Sequence, residues 1–98
     1  MSDDNFGFTP PPFKPEEALV ALRRSLRELG LAERGAGFEL RGKRVLELAA
    51  DDTVVRARVA RRLMITPEWD AMTITGAADT RKLIDELKKR LARWERED

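Results

Sequence analysis

Hydrophobic residues between positions 38 and 75 recur at every second place, the spacing that sends alternate side chains to one face of a sheet. Four runs carry the pattern: Phe38 and Leu40; Leu46 and Leu48; Val55, Ala57 and Val59, with Leu63 beyond; and Met72 and Ile74. Between them stand Glu39, Arg41, Glu47, Arg56, Arg58, Thr73 and Thr75. One face is therefore expected dry and the other wet, as in an antiparallel sheet covered on one side. The period changes to three and four on either side of this region. Leu19, Leu22, Leu26 and Leu29 predict a helix over 15–29, with Pro15 at its first position, Glu16 and Glu17 at its positive end and Gly30 as its stop. Thr80, Leu83, Leu87, Leu91 and Trp94, with Ile84 alongside, predict a second helix over 77–96, capped by Thr75 or Asp79.

Turn residues suggest the pairing. A two-residue turn at Asp51-Asp52 would set Leu48 opposite Val55, Glu47 opposite Arg56 and Leu46 opposite Ala57. A three-residue connection at 42–44 would set Leu40 opposite Leu46 and Phe38 opposite Leu48, leaving Glu39 to face Glu47. Residues 31–37, with Gly35 and Gly37, read as a loop, as do residues 64–70 around Pro67 and Trp69. Neither glycine has the strand-before, helix-after setting of a phosphate cradle.

The expected fold is α+β: a two-layer α-β-β-β-β-α chain, a four-stranded antiparallel meander in sequential order with both helices on one face. Residues 15–96 form its single domain, 1–14 a flexible Phe/Pro-rich tail and 97–98 a frayed end. The last strand would be an edge with no charge at residues 71–75. Natural edges usually carry charge, proline or a bulge, so this one predicts pairing with a second copy, a homodimer, or cover by the tail.

Composition narrows the function classes. Of 98 residues 38% are charged, yet the net charge is +1, which gives no global signature of a nucleic-acid binder. With no Cys and no His, disulfides, Cys/His zinc sites and histidine general bases are excluded. No apolar run approaches the roughly 18 to 20 residues of a membrane span, so no membrane partner is expected. The absent cysteines and the acidic N-terminus, unlike a signal peptide, point to the cytoplasm. No catalytic, cofactor or metal motif stands out. The carboxylates worth weighing are Asp51 and Asp52 on a turn and Glu39 facing Glu47.

The first functional reading is therefore a small protein-binding or adaptor module whose protein partner is unknown. Its candidate contacts are Phe6, Phe8 and Phe13 around the run Pro10, Pro11 and Pro12, together with Trp69, Met72 and Ile74 at the sheet border. The plainer reading of the same aromatics is cover for a small core. The alternative is nucleic-acid binding through a basic open face of Arg41, Lys43, Arg44, Arg56, Arg58 and Arg62. Basic residues outnumber acids seven to three between positions 41 and 62, so that region alone could attract phosphates. Helix, meander, helix is also the element order of the double-stranded RNA-binding domain, which this chain resembles in that respect. The resemblance implies a lysine-rich start to the second helix, where this chain has Arg81 and Lys82. Against single-strand binding, the open face is expected to lack stacking aromatics.

Overall fold

The computed structural model describes residues 12–96. They form an α+β fold: helix α1 (Pro15–Glu28), strands β1 (Ala32–Arg34), β2 (Gly37–Leu40), β3 (Lys43–Ala50), β4 (Val55–Ala60) and β5 (Trp69–Ile74), and helix α2 (Ala77–Arg96). The five strands pair antiparallel in the order β1-β2-β3-β4-β5. Both helices lie on one face, where Leu22 and Leu26 of α1 and Leu83, Leu87 and Trp94 of α2 join one buried cluster with Phe38, Leu46, Leu48, Val55, Ala57, Val59 and Ile74. The dry layer thus holds the even positions of β2, β3 and β5 and the odd positions of β4, as period two demands. The Trp94 indole N–H is buried with no acceptor among the described residues.

The ends of α1 follow from the sequence. Pro15 opens it, Glu16 and Glu17 occupy its first turn, and Leu29 closes it. Gly30 then turns left-handed at φ 92°. Its N–H donates to the Arg27 carbonyl at 3.0 Å and the Leu31 N–H to the Leu26 carbonyl at 3.3 Å, a Schellman closure that buries Leu31 beside Leu26. At the start of α2 the two cap candidates cooperate. Asp79 Oδ2 accepts the Thr75 N–H at 3.0 Å and its hydroxyl at 2.8 Å, and these bonds hold the Asp79 carboxyl below the usual range.

Several expectations are corrected. The sheet has five strands, not four: Ala32–Arg34, expected as loop, pairs with β2 through a two-residue turn at Gly35-Ala36, with Gly35 at φ 61°. The first expected hairpin turns at Arg41-Gly42, not at 42–44, with both residues left-handed at φ 54° and 78°. That is the twist a two-residue hairpin needs. It would put Phe38 opposite Val45, but the ladder shifts between Phe38 and Glu39, so Phe38 stands opposite Leu46, and Val45 and Leu46 are both fully buried. Glu39 consequently faces Arg44, not Glu47.

The β3–β4 register also differs, by two residues. Leu48 faces Ala57 and Glu47 faces Arg58, because the connection spans four residues, not two. Asp51 builds it: its Oδ1 accepts the N–H groups of Thr53 at 3.0 Å and Val54 at 2.9 Å, and its own N–H donates to the Val54 carbonyl at 2.9 Å. A shift of two preserves the faces, so the core survived an incorrect turn.

Candidate functional site

Among the described residues, the sequence candidates fall mainly on two surfaces outside the core, the open face of the sheet and the free edge of β5. The open face carries the basic candidates, and carboxylates are threaded among them. Glu47 accepts from Arg58 Nε at 3.1 Å and from Arg44 Nε at 3.0 Å, and these two guanidiniums, Arg58 first, hold its carboxyl below the usual range. Arg44 also reaches Glu39 at 3.8 Å, and Arg34 reaches the same carboxylate at 3.4 Å. Arg56 meets Asp51 Oδ2 at 2.9 Å. The Asp51 carboxyl is lowered mainly by the Thr53 and Val54 N–H groups and only then by Arg56. Arg44, Arg56 and Arg58 thus come together with acids between them. Lys43 and Arg41 sit at the β2–β3 turn, and Arg62 lies exposed in the β4–β5 connection. Gly37 makes room for this network: a Cβ there would sit 2.6 Å from Arg44 Cζ.

Trp69 is the first residue of β5, not part of a loop. It lies two residues from Ala71, which faces Arg58 across the ladder, so it shares the open face. The Arg58 guanidinium lies 5.0 Å from its ring centroid, a cation–π contact. The expectation of an open face without aromatics is therefore corrected.

The edge is set by the same strand. The Arg61 N–H donates to the Glu68 carbonyl at 2.9 Å, so the narrow, hydrogen-bonded pairs of this ladder include Arg61 with Glu68. Alternation along an antiparallel ladder then turns the backbone groups of Asp70, Met72 and Ile74 toward β4. Those of Trp69, Ala71 and Thr73 point away, where no strand pairs with them among the described residues. The side chains of these three residues are neutral. The strand does contain a charge, Asp70, because it begins two residues before the expected edge. That carboxylate points to the helix side, where Arg61 Nε at 2.7 Å and Arg90 at 2.9 Å hold it and, Arg61 first, lower its pKa. It does not guard the edge.

The remaining candidates separate. Ile74 is fully buried and cannot offer its side chain to a partner. Met72 is half-buried, in a groove between β5 and α2 lined by Lys82, Asp85, Glu86 and Lys89. Phe13 is half-buried and packs against the core. Phe6 and Phe8 lie outside the described residues. Sequence reasoning passed over Ile65, which is 86% exposed in the β4–β5 connection beside exposed Met64. It also missed Asp70, whose role depends on Arg90, 20 residues away. Among the described residues no helix is long and apolar enough to cross a membrane. Comparison with protein-family models, curated proteins and solved structures gives no match for this chain.

Proposed function

We propose that this chain is a non-catalytic protein-binding module of the cytoplasm, and that its docking element is the free edge of β5. One observation carries the reading: three consecutive outward positions, Trp69, Ala71 and Thr73, offer backbone donors and acceptors in a row without charge, proline or bulge. An added strand gains affinity from the main chain and selectivity from side chains on alternate faces. Trp69 supplies the aromatic anchor on the open face and Met72 the apolar contact on the helix side. The cysteine-free composition supports the assignment to the cytoplasm.

The test uses proline. At Ala71 or Thr73 proline removes only an outward N–H, which an edge strand tolerates. Tagged wild type, Ala71→Pro and Thr73→Pro are used to capture proteins from the native cell. Partners lost with both variants, with unchanged circular dichroism, support the edge. The same partners held by both variants contradict it.

A second reading, nucleic-acid binding, is favoured by the place of Trp69 on the face that holds Arg56 and Arg58. Glu39, Glu47 and Asp51 neutralise much of that face, which is why it ranks second. A mobility shift with mixed RNA and DNA at low salt tests it, and no shift at micromolar protein removes it.

A further inference from the structure

We infer that the strand filling the β5 edge is β5 of a second copy of this chain, paired antiparallel about a two-fold axis at Ala71. This rests on the reading of the edge given above and names its occupant. The outward residues Trp69, Ala71 and Thr73 are symmetric about Ala71. An axis there pairs Ala71 with itself and Trp69 with Thr73 of the partner, so every outward N–H and carbonyl of the three is used. An axis at Met72 would instead pair Trp69 with Thr75, whose N–H is already given to Asp79. The alanine at the axis leaves room on the open face for each Trp69 ring beside the partner's Thr73.

The helices add charge complementarity. Asp79 of α2 is level with Thr75 and Arg90 with Asp70, as their hydrogen bonds show. The helix between them is about 16 Å long and the strand about 16 Å, so α2 runs back alongside β5 and Ala71 is level with residues 87 and 88. Arg90 also donates to the Ala60 carbonyl at 2.9 Å, so its side chain reaches past β5 to the end of β4. On the facing side, Glu86 and Lys89 fall on opposite sides of the level of Ala71. The two-fold therefore brings Lys89 of each copy toward Glu86 and Asp85 of the other. It also covers the half-buried Met72 from both sides. The edge is self-complementary in its backbone, as an isologous interface requires, and the Glu86–Lys89 pairs beside the axis add attraction, although the same axis sets Lys82 level with the partner's Arg93.

Sedimentation equilibrium from about 1 to about 100 μM tests the inference on wild type, Ala71→Pro and Lys89→Glu. A reversible dimer is expected for wild type. Ala71→Pro should be monomeric with unchanged circular dichroism. Lys89→Glu sets like charges across the axis and should raise the dimer dissociation constant at least tenfold, more at low salt than at high. A wild-type monomer throughout this range overturns the inference but leaves the docking edge standing if Ala71→Pro still loses captured partners. A wild-type dimer that survives Ala71→Pro overturns the occupant, and the edge falls with it only if both proline variants also hold the same captured partners.

Discussion

Arg90 of α2 donates to Asp70 of β5 at 2.9 Å, and this bond ties the last helix to the outermost strand. The same guanidinium reaches the Ala60 carbonyl at 2.9 Å and Glu86 at 2.7 Å, so one side chain holds the end of β4, the start of β5 and its own helix. Arg90→Met should lower the unfolding free energy by about 1–3 kcal/mol, because the carbonyl of buried Ala60 loses a charged donor. Asp70→Asn should cost less, since Arg90 keeps two other acceptors. Urea midpoints of the three proteins check the order.

The pH dependence follows from the carboxylates. Glu47, Asp51, Asp70 and Asp79 all have folded pKa values lowered by donors. Their contribution is therefore fully present above the unfolded carboxylate values, near pH 4, and is lost as pH falls through the lower folded values. With no histidine, no side chain of ordinary pKa titrates between pH 5 and 8. The urea midpoint should be flat over that interval and fall below about pH 4. A midpoint that rises on acidification would contradict the ion-pair network.

Arg41 holds φ 54° in a two-residue turn that favours asparagine before glycine. Arg41→Asn should raise stability by about 0.5–1 kcal/mol, measured as a higher melting temperature with unchanged circular dichroism.

Gly37 and Arg44 should be coupled. The added methyl of Gly37→Ala would displace the Arg44 guanidinium from Glu39 and Glu47. The cost is expected near 0.5 kcal/mol because the pairs are partly exposed. In Arg44→Ala the same glycine substitution should cost almost nothing, so the double-mutant cycle should not close additively.

Much of the fold was legible because period two survives errors of turn. A turn at Asp51-Asp52 gives a register two residues from the true one, yet Leu46, Leu48, Val55, Ala57 and Val59 share the dry face in both. The bulge at Val45 was not legible, since it depends on two adjacent apolar residues both finding room under the helices. Strand β1 was hidden by its length: Ala32, Glu33 and Arg34 hold no apolar alternation, and only Gly35 marks the turn. The basic face is visible in the sequence, but which acid meets which arginine depends on register: a turn at Asp51-Asp52 sets Glu47 opposite Arg56, where the structure sets it opposite Arg58. The edge was legible as the end of a meander. Its outward residues became countable only once the Arg61–Glu68 bond fixed the alternation.

The most direct test of the docking edge is amide hydrogen exchange along β5, followed as protein concentration rises. In dilute solution the account predicts slow exchange at Asp70, Met72 and Ile74 and fast exchange at Trp69, Ala71 and Thr73, with all three of the latter slowing as the second copy binds. Fast exchange at Ala71 and Thr73 at every concentration, with every captured partner bound as well as free, would contradict it.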